Sequence, residues 1–393
     1  MELLFNYEDE QLTIQLPPTI DTSNAQQVED TINNIINENN GFQKLVLDAI
    51  NLNYISSVGL RIVLRLSQLY ENIRVLDVKN EVYDIFEMTG FTDIIDIEKV
   101  LKEVSIEGCP IIGEGFYGRV YRISPDTIVK VYFRGGAIDD VKRERKLAKT
   151  AFILGIPTAI SYDIVKVKEQ GKECYGSVFE LLEAKSLRDL VRDNPNKFAE
   201  YVKMHADLVK KINSTTVLSK DLPYAKEATK DWMKTIKGHL DENVYEKLEQ
   251  LIETIPDVDF MVHGDCHVKN ILVQNNEPIL IDMDTLSKGH EIFDVVAFYL
   301  TYVTYEQVDP GNTKRFLDLD KQICLNLYQG IFQQLYGDRS QEEQAQIQLK
   351  VETLAYILFY SRALIYYPED ENRRKFCIEK LTDHVEKLDS LAY

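Results

Sequence analysis

This chain of 393 residues reads as an α/β domain followed by a larger α+β domain of two lobes. Three observations predict that architecture. Short apolar strands alternate with amphipathic helical runs over residues 1–104. A glycine-rich turn between two β-type segments opens residues 105–182, and helical periodicity dominates 183–393 around two short runs rich in polar and acidic residues, Val262–Leu272 and Leu280–Asp284. The length supports two to three domains, each able to bury its own core.

In the first domain Leu12, Ile14 and Leu16 alternate as in a half-buried strand, and Pro17-Pro18 ends the pairing. Val28, Ile32, Ile35 and Ile36 recur at helical spacing, with Ser23 or Asn24 as the expected cap. Leu45-Val46-Leu47 predicts a buried strand. The turn Asn53–Ser57 feeds a helix with Leu60, Val63 and Leu64 on one face. Ile73–Val78 predicts another strand, and Val82, Ile85 and Phe86 start another helix. Strands alternating with short helices imply an α/β sheet.

Three motifs here fall in order: Leu47-Asp48, Tyr54-Ile55-Ser56-Ser57-Val58-Gly59-Leu60-Arg61 and Met88-Thr89-Gly90-Phe91. On them, residues 1–104 resemble the STAS domain of anti-sigma factor antagonists. The resemblance implies an anti-sigma-factor-type protein partner and a phosphorylation switch at a helix N-terminus, where free N–H groups and the helix dipole favour a new dianion. The family's acceptor usually stands directly before the Gly, where this chain has Val58. Ser57 and Ser56 are the displaced candidates, and the competing reading is that they only cap the helix.

Composition sets wider bounds. A formal charge of −19 argues against a nucleic-acid binder, which would present basic stripes, and by itself suits a cationic substrate. The first domain is the more acidic, with 7 Lys and Arg against 18 Asp and Glu. Cys109, Cys174, Cys266, Cys324 and Cys377 stand far apart with no CxxC, as expected of free thiols in a reducing cytoplasm. The N-terminal residues lack the features of a signal peptide, and no apolar run approaches a membrane span.

From about Ser105 the pattern changes. Gly113, Gly115 and Gly118 form a GxGxxG within Ile111–Ile123. A dinucleotide-binding reading requires a helix at the third Gly, but β-type residues Arg119–Ile123 follow. The run is therefore expected to be a strand–loop–strand lid over phosphates, where glycine lets the backbone approach closely. No Walker A run is present, which excludes a P-loop enzyme. Lys130 lies in the next strand, Thr127–Phe133, placed to meet the α- and β-phosphates. Glu144, on the helical run Asp140–Leu147, is its expected carboxylate partner, the alternative being one acid among many on a charged face. Glu180, Leu181 and Leu182 follow a strand at the expected hinge, where backbone groups would meet adenine.

The run Val262–Leu272 places Asp265 five residues before Asn270, and Asp282 ends the apolar strand that follows. Phosphoryl transfer needs a carboxylate beside the acceptor hydroxyl, hard oxygen ligands for Mg²⁺ and cations on the phosphates. Asp265 is the expected base, with Asn270 and Asp282 on the metal. His263 and His267 could suggest a zinc pair, but Gly264 and the following strand argue for a loop instead of the helix that pair needs. His263 is expected to be architectural, and His267 is placed near substrate or phosphate. Asp284 is either a second metal neighbour or a loop-positioning acid, and Cys266 a packing residue. Asp294, in Gly289–Val296, is expected to be buried and to accept from the loop backbone. His205, His239 and His384 read as ordinary helix histidines.

Residues 105–393 thus resemble the aminoglycoside phosphotransferase and choline kinase group of the protein-kinase-like fold. The strongest resemblance lies at Gly113–Gly118, Lys130, His263–Leu272, Ile281–Asp284 and Gly289–Asp294. Ala184 departs from the Gly often found in the family, and residues 190–255 say little about chemistry. The resemblance implies an ATP- and Mg²⁺-dependent phosphotransferase acting on a small-molecule hydroxyl. Only 11 residues separate Asp282 from Asp294, too few for the activation segment that docks peptides, and His267 stands where Ser/Thr protein kinases usually carry Lys. Two alternatives remain open: a protein kinase acting on a STAS serine in cis or in trans, and a nucleotide-binding pseudokinase switch.

Overall fold

The computed structural model describes residues 1–115, 118–133, 138–169, 171–218 and 222–388. The chain divides into two compact units, Met1–Glu103 and Val104–Tyr393.

The first unit is an α/β sheet with strand order Phe5–Glu8, Gln11–Gln15, Lys44–Asp48, Ile73–Val78, Asp96–Lys99. The first pair is antiparallel and the other three are parallel. Parallel neighbours need crossovers, and helices Ala25–Glu38, Ser57–Leu69 and Asn80–Met88 fall in the intervening chain. Leu12 and Ile14 point into the core from one face of their strand, as their alternation predicts. Val28, Ile32, Ile35 and Ile36 form the buried stripe of the first helix. The expected cap differs in detail. Asn24 occupies the N-cap position, but its side chain accepts from the Asp21 N–H at 2.9 Å and donates to the Thr19 carbonyl at 2.7 Å. It fixes the preceding turn and leaves the helix N–H groups alone.

Ser56 is the N-cap of helix Ser57–Leu69 and accepts from the Gly59 N–H at 3.5 Å. Ser57, the first helical residue, is exposed. Gly59 lets this helix seat against the short parallel pair Thr19–Ile20 and Tyr54–Ile55: a Cβ there would lie 2.6 Å from Ile55 and 2.8 Å from Ile20. Both neighbours are buried, so neither has room to retreat. Gly59→Ala is expected to destabilise this unit by about 1–3 kcal/mol, read as a lower midpoint in thermal unfolding.

The second unit opens with a sheet in which Asp163–Glu169, Lys172–Glu180, Thr127–Tyr132, Gly118–Arg122 and Ile111–Glu114 are neighbours in that order. Strands Ile111–Glu114 and Gly118–Arg122 pair antiparallel around the glycine-rich turn, whose Phe116 and Tyr117 lie outside the described residues. Helix Ile138–Ile153 packs on the sheet, burying Val141, Glu144, Leu147, Ala148 and Ala151. The remainder is largely helical, built around Ala206, Val209, Ile212, Leu248, Val295, Leu327, Leu354 and Ile357. Two small β features interrupt it. Ile271–Gln274 and Glu277–Leu280 form a hairpin turned by Asn275 and Asn276, both left-handed at φ 54° and 65°. Met261–Val262 pairs with Ser287–Lys288. Among the described residues no helix is long and apolar enough to cross a membrane.

Candidate active site

The sheet, helix Ile138–Ile153 and the loop after Val262 bring Lys130, Glu144, Asp265, Asn270 and Asp282 together. Lys130 lies in a strand paired on both sides, so its backbone is fixed. Its Nζ donates to Glu144 Oε1 at 2.8 Å and to Asp282 Oδ1 at 2.7 Å. Burial alone would lower the Lys130 pKa, but Asp282 and Glu144 overrule it and hold the ammonium well above its usual value. Tyr132, two residues along and so on the same face, donates to Glu144 Oε2 at 2.9 Å. Glu144 is thereby held from both sides. The sequence reading missed Tyr132, although the period-2 spacing from Lys130 was its signal.

Gly118 explains how the lid hairpin closes on its neighbour. A Cβ at this position would stand 2.0 Å from the Val131 carbonyl oxygen, so no side chain fits without moving a central strand. The Gly115 N–H donates to the Gly118 carbonyl at 2.9 Å and narrows the turn. Gly113 differs: a Cβ there would make only ordinary contact with Val120 at 3.5 Å. Glu180 ends the strand facing Thr127, and the Leu181 N–H donates to the Asp126 carbonyl at 2.7 Å, which fixes the passage to Leu182.

The loop His263–Asn270 is built from backbone constraints. Gly264 has φ +79°, and its N–H donates to Asp294 Oδ1 at 2.7 Å. Asp294 Oδ2 accepts from Asn213 at 2.7 Å and from the His263 N–H at 3.3 Å. Burial pushes the fully enclosed Asp294 carboxyl up, against the pull of those donors. Thr285 donates to the His263 carbonyl at 2.6 Å, and the Asp265 N–H donates to His263 Nδ1 at 3.2 Å. Burial lowers the His263 pKa to about 4, so the ring is neutral and can accept. His205 contacts the Cys266 carbonyl at 2.6 Å, and the Tyr302 hydroxyl accepts from the Val268 N–H at 2.9 Å. Asn213, His205, Thr285 and Tyr302 lie far from the loop in sequence or in unremarkable runs. No local pattern announced them.

Within this loop Asn270 Nδ2 donates to the Asp265 carbonyl at 3.0 Å and to Asp265 Oδ2 at 3.1 Å. That use of the amide nitrogen leaves the carbonyl oxygen as the metal-type donor of Asn270. The Ile281 N–H donates to the Asn270 backbone carbonyl at 2.9 Å, which brings Asp282 alongside. Asp282 has φ 66°, a left-handed conformation that aspartate tolerates better than most residues.

Four carboxylates, Glu144, Asp265, Asp282 and Asp284, act on one another here. Asp265 keeps 38% of its side-chain surface open to solvent, yet protein surrounds it beyond the opening. Burial, then Asp282, pushes its pKa up to about 7. Asp284 is likewise pushed up to about 7, by burial and then Asp282. Burial also works to raise Asp282, but Lys130 prevails and holds it low. Carboxylates that penalise each other's ionisation suit a divalent cation. Among the described residues no three His, Cys, Asp or Glu side chains converge as a metal cage. Asn270 and Asp282 could offer two oxygen donors, the modest share that Mg²⁺ takes from protein when phosphates and water complete its shell. His267, buried and lowered to about 4 by burial, has Nε2 3.7 Å from Asp265 Oδ1.

Comparison with known proteins identifies both domains. The profile of the phosphotransferase enzyme family (APH) matches residues 108–318, and that of the STAS domain matches residues 6–104. A Bordetella bronchiseptica protein, BtrV, provisionally described as an anti-sigma factor antagonist, is 32% identical over 101 residues. That match covers 25% of this chain and 85% of the relative. The fold is similar to a thermostable mutant of aminoglycoside phosphotransferase APH(4)-Ia in a ternary complex with ADP and hygromycin B, at TM-score 0.50 and 13% identity over 72% of this chain and 94% of that one. A ternary complex of the same phosphotransferase with AMP-PNP and hygromycin B gives TM-score 0.50 and 13% identity, over 72% and 94% of the two chains.

Proposed function

Because the chain belongs to the phosphotransferase enzyme family and carries an N-terminal STAS domain, we propose that it transfers the γ-phosphoryl group of ATP to a hydroxyl of a small molecule. The observation that supports this reading is that Lys130 bonds both Glu144 and Asp282, while Asn270, whose backbone carbonyl accepts from Ile281 N–H, bonds Asp265.

In this reading residues 105–182 form the lobe over the nucleotide and residues 183–393 the acceptor lobe. Gly113, Gly115 and Gly118 cover the phosphates, and backbone groups at Glu180 and Leu182 meet adenine. Lys130, oriented by Glu144, neutralises phosphate charge. Asn270 and Asp282 would hold Mg²⁺, which would supply further neutralisation of the phosphates. Asp265 orients the acceptor hydroxyl and takes its proton. The bond from the γ-phosphorus to the ADP oxygen breaks as the bond to the acceptor oxygen forms, giving ADP and a phosphomonoester. The STAS unit binds an anti-sigma-factor-type protein partner, with exposed Ser57 ahead of capping Ser56 as the phosphosite. The five free thiols suit a reducing cytoplasm.

The test incubates the full chain with Mg²⁺ and γ-labelled ATP in a pool of small hydroxyl compounds. Label in a small soluble product supports the proposal. Label confined to Ser56 or Ser57 would favour a protein kinase acting on its own switch, and ATP binding without transfer would favour the pseudokinase. Lys130→Ala is expected to lower kcat/KM for ATP roughly 10²-fold, because one charge aimed at the phosphates is lost. An unchanged value would remove Lys130 from the phosphate site.

A further inference from the structure

Lys130 Nζ is shared by two carboxylates at nearly equal distance, Glu144 Oε1 at 2.8 Å and Asp282 Oδ1 at 2.7 Å. A lysine ammonium rides on a flexible four-carbon stem, so its partners set where it stands. In the proposed reaction Asp282 is also a metal ligand, which leaves Glu144 as the partner with no second duty. Whatever fixes Glu144 therefore decides the position of the Lys130 charge.

Glu144 comes from helix Ile138–Ile153, and the sheet beneath engages its second oxygen. Tyr132 Oη lies 2.9 Å from Glu144 Oε2 and 3.2 Å from Ser177 Oγ. Lys130 and Tyr132 are two residues apart on a strand paired on both sides, so they share a face. Ser177 stands directly opposite Lys130 on the neighbouring strand Lys172–Glu180, and directly opposed residues project from the same face. Tyr132, Glu144 and Ser177 are all buried. Three strand positions and one helix position thus converge on a single enclosed carboxylate.

The direction of these bonds follows from which groups can donate. An ionised carboxylate only accepts, and a phenol has one proton, so Tyr132 gives its proton to Glu144. The Ser177 hydroxyl then donates to the Tyr132 oxygen. The chain runs from Ser177 to Tyr132 to Glu144, and Glu144 accepts from Lys130 on its other oxygen. A carboxylate gripped at both oxygens has its plane fixed, which aims Oε1 at Lys130. The Tyr132 ring centre also lies 5.0 Å from Lys130 Nζ, so ring and hydroxyl act on the two ends of one ion pair.

We propose that Tyr132 and Ser177 are positioning residues for the nucleotide phosphates: their hydroxyls lock the Glu144 carboxylate and, through it, place the Lys130 ammonium. This deepens the phosphotransferase reading and rests on its assignment of Lys130 to the phosphates. Both residues act through Glu144, so their effect is confined to the part of the ligand that Lys130 meets.

The experiment titrates the full chain by calorimetry with AMP-PNP and Mg²⁺, and separately with adenosine, which has no phosphates. Tyr132→Phe keeps the ring beside Lys130 and removes only the hydroxyl. It is expected to weaken AMP-PNP binding roughly fivefold, a common size of coupling within one hydrogen-bond network, and to leave adenosine binding unchanged. Ser177→Ala should weaken AMP-PNP binding by a smaller factor and replaces Tyr132→Phe throughout if that variant fails to fold. In a Glu144→Gln background the carboxylate is gone, and Tyr132→Phe should have no further effect on AMP-PNP. A merely structural role would lower affinity for both ligands or persist in the Glu144→Gln background. Unchanged AMP-PNP affinity in Tyr132→Phe, equal losses for AMP-PNP and adenosine, or an undiminished effect beside Glu144→Gln would overturn the proposal. Labelled transfer from ATP is scored separately. Transfer by the parent chain with unaltered AMP-PNP affinity in the variants would preserve the phosphotransferase reading and remove this one. The full binding pattern with no transfer to any acceptor would do the reverse.

Discussion

Replacing Asp265 with alanine is expected to lower labelled phosphoryl transfer by about 10²–10⁴-fold, the range for loss of a general base, while ADP affinity changes little. The two effects separate because Asp265 touches the loop and the acceptor side, whereas Lys130 and Glu144 pair with each other. Asn270 would keep its bond to the residue 265 backbone carbonyl, so the loop retains one of its two cross-links. Steady-state kinetics with calorimetric ADP titration measures both quantities. A variant with full transfer activity would end the assignment of Asp265 as base. A variant that also lost ADP would show that the residue shapes the nucleotide side instead.

Asp294→Ala should produce the second large effect, from a residue far from any reacting atom. Its carboxylate, fully buried, collects the N–H groups of His263 and Gly264 and the Asn213 amide. Removing it strands three donors, a loss of about 3 kcal/mol or more. Gly264, left-handed at φ +79°, would lose the bond that fixes its orientation, and Asp265 follows directly. Transfer should therefore fall by about 10²-fold even at temperatures where the protein stays folded. Denaturant unfolding alongside activity checks both parts. Asp294→Asn keeps the volume and one acceptor oxygen and should fall between the two. Stability equal to the parent chain would show that the loop holds itself.

Much of this was legible in sequence because the signals are local. Alternation at Leu12 and Ile14, the helical stripe Val28–Ile36 and the glycines around Lys130 depend on neighbours a few residues apart. Asp265 and Asn270, five residues apart on one tight loop, are likewise a local pattern, and the Asn270–Asp265 bonds follow from it. The pairing of Lys130 with Glu144 was also expected, since Glu144 stands on the helix that follows the Lys130 strand.

What only the tertiary structure decided has one physical cause: it depends on groups brought together across long stretches of chain. Asn24 has the residue type and position of a cap, yet its side chain turns to Asp21 and Thr19 because the folded turn offers better partners. Asn213 reaches Asp294 across 81 residues and His205 reaches Cys266 across 61, contacts with no sequence period. The same holds for charge. A composition of −19 is a sum over every residue, while Lys130 meets Asp282 across 152 residues because the sheet and the loop pack together. Sequence named the polar groups. Packing decided which of those charges meet, since electrostatic interaction falls off with distance and distance is a property of the fold.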